Sequence, residues 1–280
     1  VNMQVNHLEA TLEEPRQKPI TGEQIIAVHR HLTDRDLNLI DALGQHQVLL
    51  LPQITRMFFP SETRARTRLT VLRGLGVVTR FRRSVRPGSQ AWRYTLGHVG
   101  ATIYAHSRGE KPPRVPDTTA RLGKLTARRD MEHLLGVNEV LSHLYEHARH
   151  TEGAELEECL GEPDSVALTY GFARPDASWV WREGGLSRRF FLEYNTGTES
   201  LVRVVRKLRL YDTPLDHEGV VVFVFPNATR EANFRFMASD AEQGITVATT
   251  SQSFVPISAG RIWWPLAGNE RSRLVDFGQP

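Results

Sequence analysis

Apolar residues recur at helical spacing through the first third of the chain and at strand spacing in much of its second half. Thr33 precedes a run in which Leu37, Ile40 and Leu43 fall on one side until Gly44 stops it, with Asp36 placed three residues after a capping threonine. Pro52 suits the first turn of a second helix whose Ile54 and Phe58 face inward, and Pro60 ends it. Ser61 caps a third helix in which Ala65, Leu69, Leu72 and Gly76 align, while Thr63, Arg64, Thr67, Arg68 and Thr70 face away. Val77–Arg83 and Ala91–Leu96 read as short strands about a turn at Pro87-Gly88, followed by a helix over Val99–Ser107. Three helices and a hairpin in this order predict a winged helix-turn-helix domain within residues 21–108, after a loose arm at 1–20. The prolines of GEKPPRVPDTTARLGK predict a linker over 109–127.

The remainder, 128–280, predicts a second domain. A long helix runs from about Arg128 to His150, and the acidic stretch GAELEECLGEPD reads as loop or short helix. Strands are expected at Ser165–Phe172, after Pro175, and at Arg189–Tyr194, then a helix over Glu199–Tyr211 and an apolar strand Gly219–Phe225. A helix Arg230–Ser239 and a strand Ile245–Thr249 follow, and Trp263-Trp264-Pro265 is expected to close the ordered part. The fold class is therefore α+β, with a mixed sheet in the second domain.

A length of 280 residues suits two cores of ordinary size. No segment approaches the roughly 20 consecutive apolar residues that span a bilayer, and VNMQVNHLEATLEEP is polar, so a cytoplasmic protein without membrane association is expected. Cys159 is the only cysteine, which excludes an internal disulfide and a zinc site built on several cysteines. The net charge of +3 conceals an asymmetry. Residues 51–100 hold ten arginines against one acid, Glu62, and so carry +9, leaving −6 for the rest. Such a block suits a polyanion, because each arginine–phosphate contact releases condensed counterions; a merely solvated basic face has the same composition. Thr63, Arg64, Arg66, Thr67 and Arg68 on the third helix are the candidates for reading double-stranded DNA in the major groove, and Arg82, Arg83 and Arg86 for contacting phosphates from the wing.

A two-residue turn at Gly184-Gly185 makes Glu183 face Leu186, and the same register sets Asp176 opposite Glu193. Two like charges there destabilise a sheet unless something positive lies between them, and oxygen ligands converging at a sheet edge are a means of holding Mg²⁺ or Mn²⁺ for phosphodiester hydrolysis. The duller reading pairs them with Arg174 and Arg203. His143 and His147 stand at i, i+4, as zinc ligands can, or form a solvated face. Trp263 and Trp264 belong to a core or stack on bases. Thr198 is expected to cap the helix that follows.

Arg174-Pro175-Asp176, then Phe191-Leu192-Glu193-Tyr194-Asn195, resembles the PD-(D/E)xK nuclease core. The resemblance implies a restriction-endonuclease-like domain, with both acids as metal ligands and a lysine two residues after the second. Asn195 stands at that lysine position, a departure that weighs against hydrolysis, and Lys207 is the candidate substitute. Glu139 is a candidate third acid. RPD, FFLEYNTGTES and RKLRLY after a winged helix resemble the replication-relaxation family of plasmids and mobile elements. The resemblance implies a DNA-binding role in replication, relaxation or transfer, with replication or transfer proteins as partners. A homodimer is expected if the DNA site is palindromic. The alternatives are a metal-dependent nickase and a winged-helix transcriptional regulator.

Overall fold

Three helices of the first half begin where a side-chain oxygen meets an otherwise unbonded amide. Thr21 and Gln24 cap α1 (Gly22–His29) reciprocally, Thr33 and Asp36 do the same for α2 (Asp34–His46), and Ser61 Oγ accepts from the Arg64 amide at the head of α4 (Glu62–Gly74). The computed structural model describes residues 10–12, 21–83, 90–211, 219–239 and 244–278, which fall into two units, Val1–Met131 and Glu132–Pro280. Among the described residues no helix is long and apolar enough to cross a membrane.

In unit 1 the chain forms β1 (Ala10–Leu12), α1, α2, β2 (Leu49–Leu50), α3 (Leu51–Phe58), α4 (Glu62–Gly74), β3 (Val78–Arg83), β4 (Arg93–Leu96), α5 (His98–Ser107) and α6 (Val115–Ala127). The four strands are antiparallel in the order β1-β3-β4-β2. Leu39, Leu43, Ile54, Leu69, Leu72, Phe81 and Val99 fill the core. Helix α5 crosses the hairpin so closely that a Cβ on Gly100 would strike the Val77 carbonyl. The arm expected at 1–20 contains a strand, since Ala10–Leu12 pair with β3. The linker expected over 109–127 holds α6 instead. Pro116 lies in its first turn, where a missing N–H costs nothing, and Leu122 and Leu125 are buried.

Unit 2 is a mixed six-stranded sheet with helices on both faces. Its elements are α7 (Met131–His150), whose first residue belongs to unit 1, β5 (Glu155–Gly161), α8 (Glu162–Leu168), β6 (Ala177–Glu183), β7 (Leu186–Tyr194) and α9 (Leu201–Leu208). Then follow β8 (Gly219–Phe225), α10 (Ala228–Ala238), β9 (Thr246–Ser251) and β10 (Trp264–Pro265), with short 3₁₀ turns at Gln252–Ile257 and Leu274–Gly278. The order is β10-β9-β8-β7-β6-β5, parallel at β7–β8–β9 and antiparallel elsewhere. One face packs Trp179, Trp181, Phe190 and Leu192 against Val137, Val140, Leu141 and Leu144 of α7. The other packs Phe191, Val221, Phe223 and Phe225 against α9 and α10 through Val204, Leu208 and Phe234.

Three local expectations for this unit are corrected. The acidic stretch contains strand β5, which is tolerable at a sheet edge because Arg182 pairs across the strands with Glu155 and Glu157, and Arg189 pairs with Glu158. Residues 165–168, expected as strand, belong to α8, which opens with Pro163 and two acids in its first turn. Order continues beyond Trp263-Trp264-Pro265 to the 3₁₀ turn, and the Trp263 indole, fully buried, donates to the Ser258 carbonyl at 2.8 Å.

Candidate functional site

Helix α4 turns Ala65, Leu69 and Leu72 into the core, and Thr63, Arg64, Arg66 and Thr67 are exposed on the other side. Arg64 has no side-chain partner among the described residues, whereas Arg66 lies 3.5 Å from Glu62, an exposed i, i+4 pair of small energetic weight. The Thr67 hydroxyl donates to the Thr63 carbonyl at 3.0 Å. Arg68 points the opposite way. Its Nε donates to Asp36 Oδ1 at 2.9 Å and its Nη2 to the His31 carbonyl at 3.2 Å, bracing α4 against the start of α2. Burial alone would raise the Asp36 carboxyl, but the hydrogen bonds from Arg68 and Thr33 outweigh it and hold the group below its ordinary value. The guanidinium of Arg68 is thus spent on the scaffold in this state.

On the hairpin, Arg80 and Arg82 both stack on Trp92, with guanidinium carbons 4.0 and 4.3 Å from the ring centre. Arg83 ends β3; its side chain and Arg86 lie outside the described residues. Arg93 is buried and donates to Gln90 at 2.6 Å. Counting charges along the chain identified the cluster but not Trp92, which is far from α4 in sequence and is placed beside β3 only by the hairpin.

The second candidate is a cleft of about 140 Å³ in unit 2, lined by His133, Asp176, Glu193, Asn195, Glu199 and Lys207 among others. That is well under the roughly 300 Å³ at which small-molecule pockets begin. The hairpin pairs Glu183 with Leu186 through Ala177 with Leu192, as expected, and the Asp176 amide continues the ladder to the Leu192 carbonyl at 2.8 Å. Asp176 Oδ2 accepts from the Tyr194 amide at 2.7 Å and lies 3.2 Å from His133 Nε2 of α7. Helix α7 can come this near because residue 136 is glycine, where a Cβ would overlap the Tyr194 ring.

Glu193 is almost wholly buried, and each of its oxygens accepts a hydrogen bond. Lys207 Nζ reaches its Oε2 at 3.0 Å and the Tyr211 hydroxyl its Oε1 at 2.7 Å. The same ammonium lies 3.2 Å from Glu199 Oε2. Burial, followed by the negative charge of Asp176, pushes the Glu193 carboxyl up to about 7, although Lys207 and Tyr211 oppose the shift. Burial pulls the Lys207 ammonium down, but Glu193 and Glu199 win and raise it. Tyr211 is held well above the usual phenol range by burial and by the charge of Glu193.

Asn195 has a role different from that of a lysine. Its Oδ1 accepts from the Gly197 amide and from Arg230 Nε, each at 2.9 Å, and Arg230 also donates to the Glu199 carbonyl. The turn so held carries Glu199 to the cleft. The expected cap Thr198 bonds Thr196 at 3.2 Å, and α9 starts after Ser200. Glu139 pairs with His143 at 3.2 Å, His147 meets Thr151, and neither histidine joins a ligand cluster. Among the described residues no group of three acids, histidines or cysteines is arranged to hold a metal ion. Each oxygen of Glu193 accepts from one protein donor, and the Lys207 ammonium lies within 3.0 Å of Glu193 and 3.2 Å of Glu199.

The sequence model of a family described as replication-relaxation matches residues 40–219, which run from α2 in unit 1 to the start of β8 in unit 2 and include Asp176, Glu193, Lys207 and Tyr211. Among curated proteins none matches. With nearly two thirds of its length matched, the chain belongs to the replication-relaxation family.

Proposed function

We propose that this protein binds double-stranded DNA and serves the replication, relaxation or transfer of a plasmid or mobile element, with unit 1 as a winged helix-turn-helix module. The observation that carries the reading is the exposed face of α4, where Thr63, Arg64, Arg66 and Thr67 stand outward beside a hairpin bearing Arg80 and Arg82. Helix α2, strand β2, helices α3 and α4, then an antiparallel hairpin follow the element order of that module. In this reading α4 enters the major groove and the hairpin arginines meet phosphates. Arg68 serves recognition indirectly, by fixing the angle of α4.

Unit 2 is read as a nuclease-like sandwich whose acids are neutralised from within. What supports this is the set of internal donors in the cleft: Lys207 pairs with Glu193 and Glu199, the Tyr211 hydroxyl donates to Glu193, and the Tyr194 amide donates to Asp176. Supercoiled plasmid incubated with the protein and Mg²⁺ or Mn²⁺ tests the point. The expected result is retarded plasmid without open circles. Conversion to open circles that disappears in Asp176→Ala would overturn it and make the chain a nickase.

A further inference from the structure

Resting on the duplex-binding reading above, we infer that helix α9 of unit 2 carries a second track for the DNA phosphate backbone. Val204 and Leu208 face the core, and Arg203, Arg206 and Arg209 are exposed. The side chains of these three arginines have no ion-pair or hydrogen-bond partner among the described residues. Several other arginines of the unit are answered by a carboxylate, Arg174 by Glu162, Arg182 by Glu157, Arg189 by Glu158, Arg261 by Asp276 and Arg271 by Glu231, and Arg230 and Arg235 donate to amide or carbonyl oxygens. Lys207, on the same helix, is consumed by the cleft acids, so the cleft and the outward row do not neutralise each other.

The geometry fits a chain of phosphates. Residues three apart on a helix rise about 4.5 Å, so the row spans about 9 Å within an arc of about 120°. Phosphates of one DNA strand advance about 3.4 Å each along the axis, which places two or three of them within reach of the row. Planar guanidinium forks match phosphate oxygens, and three of them side by side with no intervening acid are repelled by one another unless an anion answers them. The exposed apolar side chains on and just after this helix are Val202 and Leu210, with none of the aromatic or broad aliphatic surface that seats an amphipathic helix in a membrane. An acidic peptide is disfavoured by the row's regularity, which suits a repeating charge.

The test uses the full chain and a duplex of random sequence, with affinity followed by anisotropy across a salt series. The triple variant Arg203→Gln/Arg206→Gln/Arg209→Gln is expected to flatten the log affinity against log salt slope by about 2 to 3, and to weaken low-salt binding by about tenfold or more. The lysine triple variant should restore the slope, and thermal unfolding should match wild type in both. A wild-type slope in the glutamine variant, while Arg64→Ala/Arg82→Ala loses binding, overturns this inference alone. Loss of binding to phosphatidylserine vesicles with an unchanged DNA slope would reassign the row to a membrane and overturn it too. A wild-type chain that binds no duplex overturns both the inference and the reading on which it rests.

Discussion

In unit 1 the buried Asp36 is paired with Arg68 and burial pulls the His46 imidazole down to about 4, whereas in unit 2 the carboxyl groups of Glu193 and Glu199 share the single ammonium of Lys207 with Asp176 close by. The consequence is a division of charge. Unit 1 turns Arg64 and Arg66 of α4 to solvent, where they contribute to its positive field. Unit 2 gathers acids in a cleft where Lys207, Tyr211 and the Tyr194 amide donate to them, and turns one arginine row outward along α9. Charge on the first unit is therefore available to a partner, and charge in the cleft of the second is available mainly to protons.

The largest effect expected from breaking this contrast is in unit 1. Arg68→Ala leaves Asp36 buried without its cation and should destabilise the unit by about 3 kcal/mol or more. Trp92 is the only tryptophan of unit 1, so its fluorescence in a urea titration of a chain whose other tryptophans are replaced by phenylalanine reports the change. A midpoint equal to wild type would show that the pair does not brace α4.

Next in size is an opposite response of the units to pH. Glu193 is raised from 4.5 to about 7 in the folded state, so the native chain keeps a proton that the unfolded chain releases. Its contribution is complete below about 4.5 and is lost as pH rises through about 7, on the order of 3 kcal/mol in all. His46 is lowered from 6.5 to about 4 by burial, so its contribution is present above 6.5 and is lost as pH falls through about 4. Unfolding of unit 2 should thus ease with rising pH over the interval in which unit 1 gains. Glu193→Gln should flatten the first slope and leave the second; a slope that survives the substitution would place the titration elsewhere.

Smaller again is the effect of Arg64→Ala, expected to cost about 1–3 kcal/mol on a preferred DNA site and much less on random duplex. Equal losses on both would mean that Arg64 touches phosphate rather than base edges.

The same contrast explains what could be read from the chain. The hairpin register was legible because Gly184 and Gly185, with φ of 60° and 82°, occupy a turn that few other residue pairs accept, and everything from Ala177 to Leu192 follows from it. The helices α2, α3 and α4 were legible from their caps and spacing. Lys207 was legible as a candidate for the cleft, but its other partners were not, since His133, Glu199 and Tyr211 come from α7 and from the segments flanking α9, which only packing brings together. Arg68 was legible as a basic residue of α4 but not in its direction, because Asp36 lies 32 positions earlier. Helix α1, with no buried residue, left no apolar period to detect.

Hydrogen exchange of the full chain with and without saturating duplex addresses the central claim most directly. Slowed exchange is expected across 61–68 of α4 and along β3 and β4, where bound DNA would cover the amides. Unchanged exchange in those elements at saturation, with protection confined to other parts of the chain, would contradict the assignment of that face to DNA.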